Sequence, residues 1–159
     1  ELGIFELRAV YSNAYKRILN CFMNYESLSK RKDIDYNFYT ELQDKNVIFD
    51  ENYLDLIANN LLSNAFKYTE VGESIIVKLY IEDDNLVLQV IDTGIGIPLE
   101  KQEKIFERFY VVDKSRNKKI SSTGLGLSIV KHIVKAHDGT VSVKSQKGAG
   151  TEFTVKLPL

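Results

Sequence analysis

Cysteine is almost absent: Cys21 is the only one in 159 residues. A single thiol closes no intrachain disulfide and builds no cysteine-rich metal site, a usage that suits a reducing, cytoplasmic setting. A surplus of one charge is also missing. The 21 Lys plus Arg against 22 Asp plus Glu leave a net charge of −1, which gives no support to nucleic-acid binding through a basic face. No apolar run approaches the roughly 18 residues of a membrane span, and no signal peptide opens the chain. There is no internal repeat and no low-complexity segment. The chain begins at Glu1, without a Met, and is expected to be a piece of a longer protein. At 44% apolar it has material for one domain, 1–159, with a real core, and too much for disorder.

The patterning supplies the elements. Residues 4–7 read as a short strand. From Ala9 to about Ser29, apolar Tyr11, Tyr15, Ile18, Leu19 and Phe22 fall at helical spacing, and the charged run Lys30 to Asp33 closes it. These form an N-terminal strand and helix, 1–32. Ile34, Tyr36, Phe38 and Leu42 alternate with polar residues and read as a strand. Asp50 or Asn52 can cap a second helix with the stripe Leu54, Ile57, Ala58, Leu61 and Ala65. Residues 74–82 and 86–91 flank Asp83-Asp84-Asn85, a hairpin turn. A short helix follows Pro98. Residues 110–123 are polar and loop-like. Residues 125–137 are helical with Ile129, Val130, Ile133 and Val134 buried, and a last hairpin pairs 140–145 with 151–157. About three helices beside a largely hairpin-built, mixed and mostly antiparallel sheet predict an α+β, two-layer sandwich with the helices on one face.

Three stretches carry possible chemistry. Asn60, Asn64 and Lys67 lie at i, i+4 and i+7 on one helical ridge. Two amide oxygens one turn apart can face a hard cation such as Mg²⁺, and a lysine a turn further on can reach the same phosphates; a solvated helix face is the plainer reading. In Val90-Ile91-Asp92-Thr93-Gly94-Ile95-Gly96-Ile97-Pro98 a carboxylate ends an apolar strand. It accepts hydrogen bonds only, so it suits an amine such as that of adenine, and the glycines let backbone approach a flat ring; a simple turn is the alternative. Ser121 to Ser128 (SSTGLGLS) joins a polar loop to the last helix. Glycines there expose N–H groups that attract anions, or the hydroxyls merely cap the helix. The loop before it carries Lys114, Arg116, Lys118 and Lys119 against Asp113, a composition for a lid closing on phosphate or for a solvated surface loop.

Taken in order, these stretches resemble the sequence boxes of sensor histidine kinases. Asn60 to Thr69 (NLLSNAFKYT) resembles the asparagine box, Asp92 to Pro98 the first glycine box, Ile105 to Tyr110 (IFERFY) the phenylalanine box, Thr123 to Val130 (TGLGLSIV) the second glycine box, and Gly150-Thr151-Glu152-Phe153 the closing glycine-threonine motif. The resemblance implies a catalytic domain over 33–159. It also implies the Bergerat fold, shared with gyrase, heat-shock chaperones and mismatch-repair ATPases, in which helices and a mobile lid (110–122) hold ATP. On this likeness Asp92 would bind the adenine amine, and Thr151 would support it through water. Asn64 would hold Mg²⁺ with Asn60 beside it, Lys67 would touch phosphate and Tyr68 would pack near the nucleoside. Gly94, Ile95 and Gly96 would line the purine end; Gly124, Leu125, Gly126 and Leu127 would wrap the phosphates. Phe106 and Phe109 would anchor the lid or simply pack in the core.

The hydrolytic relatives carry glutamate where Asn60 stands. An amide is no base near neutral pH, so transfer to an acceptor is expected over water attack. That acceptor would be a histidine on a dimerisation domain outside the chain, with a response regulator downstream and a parent that is membrane-anchored or a hybrid kinase. His132 and His137 sit in no phospho-acceptor context. A nucleotide-binding module without transfer activity, or an ATP-hydrolysing relative, are the alternatives. Three positions depart from the family pattern: Ser122 in place of glycine, Val111 in place of arginine, and Asp138 in place of glycine, the last expected to be without consequence.

Overall fold

A computed structural model describes residues 6–108, 110 and 126–159. The chain runs β1 (Val10–Ser12), α1 (Ala14–Met23), α2 (Glu26–Arg31), β2 (Asp35–Thr40), β3 (Val47–Phe49), α3 (Glu51–Tyr68), β4 (Ser74–Glu82), β5 (Asn85–Asp92), two 3₁₀ turns at Leu99–Lys101 and Lys104–Phe106, α4 (Gly126–Ala136), β6 (Thr140–Ser145) and β7 (Thr151–Pro158). The main sheet has the order β2-β4-β5-β7-β6, and β1 pairs with β3 in a separate two-stranded ribbon. Among the described residues, β2 with β4 is the one parallel pairing of this sheet, and its other pairings are antiparallel. This is the expected mixed sheet covered by helices.

Strand register explains the layers. Ile75, Val77 and Leu79 of β4 stand opposite Asp92, Val90 and Leu88 of β5, which stand opposite Thr151, Phe153 and Val155 of β7. With a side-chain period of two, all share one face. That face joins Ile18, Leu54, Ile57, Leu61, Val130 and Ile133 from the helices in one core. The opposite face carries Lys78, Gln89, Thr154 and Lys156, and Gln89 Nε2 donates to Thr154 Oγ1 at 3.0 Å.

Local chemistry sets the boundaries. Asp50 caps α3, accepting from Tyr53 N at 3.1 Å. Lys32 Nζ donates to the carbonyls of Phe66 and Thr69 at the other end of α3, at 2.6 and 2.9 Å, which places a cation on the negative pole of the helix. The β4–β5 turn is Asp83-Asp84, both at positive φ (51° and 60°), the twist a two-residue hairpin requires; Asn85 already belongs to the strand. Asp138 (φ 57°) ends α4 in a Schellman motif: Gly139 N donates to Val134 O at 2.9 Å and Asp138 N to Lys135 O at 3.0 Å. Asp33 (φ 52°) ends α2 in the same way. Asp138 therefore holds a left-handed position that glycine would occupy without strain.

The N-terminal third departs from expectation. Glu6 and Leu7 are not in a strand, and residues 4 and 5 lie outside the described residues. The strand is Val10–Ser12, and Tyr11, 72% exposed, belongs to it rather than to a helical stripe. Asn13 is the true cap, its Oδ1 accepting from Lys16 N at 3.0 Å. One expected helix is two, broken at Asn24-Tyr25, which makes four helices among the described residues. The break lets Tyr25 stack on Phe66 at 5.2 Å while Phe22 stacks on Tyr36 at 3.8 Å. Aromatic packing thus outweighs helix continuation there. Among the described residues no helix is long and apolar enough to cross a membrane.

Candidate functional site

A cleft of about 750 Å³ opens between α3, the end of β5 with its following loop, the start of α4 and the start of β7. It gathers Asn60, Asn64, Lys67 and Tyr68 from α3, Asp92, Ile95 and Gly96 from the β5 end, Gly126 and Leu127 from α4, and Thr151 from β7. The sequence named all of these. Ser63, Ile97, Ile105 and Tyr110 also line it. Ser63 was legible, since it lies three residues after Asn60 and four before Lys67 on the same ridge. Gly94 does not line the cleft. Gly124, Leu125, Phe109, Val111 and Ser122 lie outside the described residues, as does the expected lid apart from Tyr110.

The acidic end is built by strand pairing. Asp92 is the last residue of β5 and pairs with Thr151. It is 5% exposed. Gly94 N donates to its Oδ1 at 2.9 Å. Burial pushes the Asp92 carboxyl up to about 6, while the N–H groups of Gly94 and Thr151 act against the shift. The group is thus an ionised acceptor near neutral pH, held at a desolvation cost.

The glycines serve the protein's own backbone. A Cβ on Gly94 would lie 2.1 Å from Tyr68 O, and one on Gly96 (φ 72°) 2.0 Å from Gln146 O. A Cβ on Gly150 (φ 97°) would lie 2.1 Å from Asp92 O. Three chain segments therefore meet main chain to main chain beneath the carboxylate, so at these positions the close approach is to protein rather than to a flat ring. The seam is then bonded: Ile95 N donates to Tyr68 O at 3.2 Å and Gly148 N to Ile95 O at 2.6 Å. Gln102 Nε2 bridges Ile97 O and Ser145 O, both at 2.9 Å.

The opposite wall is the ridge of α3. Asn60 Nδ2 donates to Leu56 O at 2.8 Å. A carbonyl cannot donate, so the amide must turn its NH₂ toward Leu56 and its oxygen away. That oxygen is 2.9 Å from where a Cβ of Gly126 would be, so glycine at the start of α4 keeps the space before it open. Lys67 has its pKa lowered by burial, a partly desolvated cation suited to an anion. The N-terminal end of α4, where N–H groups attract anions, enters the cleft at Gly126 and Leu127.

The donor set fits Mg²⁺. Asn60 and Asn64 offer neutral oxygens on adjacent turns. Among the described residues no cluster of three or more His, Cys, Asp or Glu could cage a metal. Mg²⁺ needs no such cage, because it takes few protein ligands and fills its sphere with water and phosphate.

Phe106 packs edge-on against Phe153 at 6.2 Å, with Lys131 Nζ 5.9 Å from its ring centre; of its two readings, core packing is what the contacts give. His137 Nδ1 lies 2.9 Å from Ile133 O, with its ring edge-on to Tyr53 at 5.8 Å, a histidine tied to its own helix end.

The comparisons agree with this geometry. The family model described as histidine kinase-, DNA gyrase B-, and HSP90-like ATPase matches residues 49–159. Sensor protein CiaH of Streptococcus pneumoniae is 41% identical over 138 residues, 87% of this chain and 31% of that protein. The catalytic domain of histidine kinase ThkA, solved without nucleotide, superposes with a TM-score of 0.81 at 26% identity, covering 97% of this chain and 96% of that one. Full-length ShkA, solved in complex with AMPPNP, superposes with a TM-score of 0.85 at 25% identity, covering 98% of this chain and 32% of that one. The chain spans about a third or less of the length of the curated relatives it matches. With a matched segment that holds both walls of the cleft, from the α3 ridge to Asp92 and Thr151, the chain belongs to the histidine kinase-, DNA gyrase B- and HSP90-like ATPase family.

Proposed function

We propose that this chain is the ATP-binding catalytic domain of a two-component sensor histidine kinase, acting on a histidine of a dimerisation domain outside the chain. The observation that carries the reading is the opposition of a buried acceptor, Asp92, to a ridge with two amides, that of Asn60 oriented by Leu56 O, and a partly desolvated lysine across one cleft. Asp92 accepts from the 6-amino group of adenine, and Thr151 supports the same edge through water. Tyr68 and Ile95 enclose the nucleoside. Lys67 and the start of α4 meet the phosphates, where the family resemblance would add Gly124 and Leu125. Asn64, with Asn60 beside it, would hold Mg²⁺, which would supply neutralisation of charge on the phosphates. The γ-phosphorus bonds to an imidazole nitrogen of the acceptor as its bond to the bridging oxygen breaks, leaving ADP. Such a transfer needs positioning and charge neutralisation rather than a nucleophile on this domain.

Asn60 favours transfer over hydrolysis, because an amide turned by Leu56 O cannot take a proton from water. A response regulator would receive the phosphoryl group next. The parent would be a dimer, its cytoplasmic part containing this domain, with or without a membrane anchor. The test mixes the chain with Mg-ATP labelled at the γ-position and a separately made dimerisation domain of a related kinase. Acid-labile label on that domain supports the proposal. Nucleotide binding without label points to a regulatory module, and phosphate release by the chain alone to an ATPase.

A further inference from the structure

Ser145 is not a cleft residue, yet its hydroxyl sits where three chain segments meet. Ile97 N donates to Ser145 Oγ at 2.7 Å. Gly150 O lies 2.7 Å from the same Oγ, and Thr151 Oγ1 lies 2.9 Å from it. A serine hydroxyl has one proton and two lone pairs. Ile97 N–H can only donate, so it takes one lone pair. Gly150 O can only accept, and two oxygens at that distance require a hydrogen between them, so it takes the proton. The contact with Thr151 also requires a hydrogen, and the only one left is that of Thr151. The Thr151 hydroxyl therefore points at Ser145 and turns its lone pairs elsewhere. Thr151 lines the cleft beside Asp92 and is 7% exposed.

We infer that Ser145 is a positioning residue for purine selectivity: by consuming the Thr151 proton, it makes the inner end of the cleft acceptor-only. Both groups there, the Asp92 carboxylate and the Thr151 oxygen, then ask for hydrogen from the ligand or from a bridging water. At the position facing the Asp92 carboxylate a 6-amino purine supplies it from N6–H, whereas a 6-oxo purine sets its O6 acceptor there and has hydrogen to offer only from N1–H, one position along the edge. Gln102, which clamps Ile97 O to Ser145 O, holds the Ile97 donor in place, so the proton order is fixed by backbone rather than by a mobile side chain. The inference rests on the nucleotide reading above and adds the residue that sets its base preference.

The experiment is calorimetric titration of the parent and Ser145→Ala chains with Mg-ATP and Mg-GTP. Without Ser145 the Thr151 proton is released to face the cleft, and the preference for ATP over GTP should fall about tenfold, the scale of one mismatched buried hydrogen bond. Thr151→Val should lower the same ratio, Thr151→Ser should keep it, and adding Ser145→Ala to Thr151→Val should lower it no further. Equal loss of both nucleotides in Ser145→Ala, or no change in either, would overturn the assignment. Should Ser145→Ala fail to fold, Ser145→Cys decides, since a near-isosteric thiol is a weak acceptor for the Thr151 proton: a lowered ATP-over-GTP ratio supports the inference, and an unaltered ratio or equal loss of both overturns it. A parent chain that binds neither nucleotide overturns the nucleotide reading itself, a different failure from a parent that binds ATP with an unaltered ratio in the variants.

Discussion

Replacing Asp92 with asparagine should destroy nucleotide binding and, without nucleotide, leave the fold as stable as before or more so, in a way that depends on pH. In the unfolded chain an aspartate titrates at about 3.9. In the folded chain burial pushes Asp92 up to about 6. The folded state thus binds the proton more tightly, so stability falls as pH rises from about 4 to about 6 and stays at the lower level above that. A gap of that size corresponds to roughly 3 kcal/mol once the carboxylate is fully ionised. Asparagine removes the titration. Its single amide oxygen can still accept from Gly94 N, which leaves the Thr151 N–H facing an NH₂ group at a cost of about 1–2 kcal/mol. At pH 7.5 the variant should therefore equal or exceed the parent by about 1–2 kcal/mol, and near pH 4 it should be the less stable of the two. Urea denaturation at pH 4, 5, 6 and 7.5 measures this directly. A parent-minus-variant difference that stays flat across that range would refute the argument that burial holds the Asp92 carboxyl in a costly state. For the parent, ATP affinity should fall about tenfold per pH unit below 6, as the acceptor becomes protonated.

Gly94→Ala should cost at least about 2–3 kcal/mol in the same denaturation assay, because its Cβ would lie 2.1 Å from a main-chain oxygen; a thermally unchanged variant would show that the seam can open. Asp138→Gly should stabilise by about 0.5–1 kcal/mol, relieving a left-handed residue at the end of α4, which a rise in the urea midpoint would register. Gly126→Ala should leave the fold intact or improve it, since alanine favours a helix by up to about 1 kcal/mol. Its Cβ, 2.9 Å from Asn60 Oδ1, should nevertheless cut Mg²⁺-dependent ATP affinity several-fold, measured against binding in EDTA.

The cleft was largely legible in the sequence because its side chains come from short local patterns. Asn60, Asn64 and Lys67 announce themselves by helical spacing, and Asp92 by its place at the end of an apolar strand. The functions of the glycines were not legible, because Tyr68 O, Gln146 O and Asp92 O reach them from other segments. Ser145 and Gln102 gave no local signal: Gln102 reaches Ser145 across 43 residues and Ile97 reaches it across 48. The β1–β3 ribbon was missed because strands of three residues show too little alternation to separate from a helix start. The break at Tyr25 carries neither Gly nor Pro, and only the partner ring of Phe66 explains it. The Asp138 departure, expected to be neutral, instead places an aspartate at φ 57°.

The seam beneath Asp92 has a bearing on drug resistance. Its contacts are between main-chain atoms, and its three critical positions hold glycine, so the usual route by which a target escapes a compound, exchange of one side chain for another, meets a clash of about 2 Å at each. A small molecule anchored on the Asp92 carboxylate and on the backbone of Ile95 and Gly96 would rest on the part of the cleft wall that this seam backs and that mutation is least able to reshape.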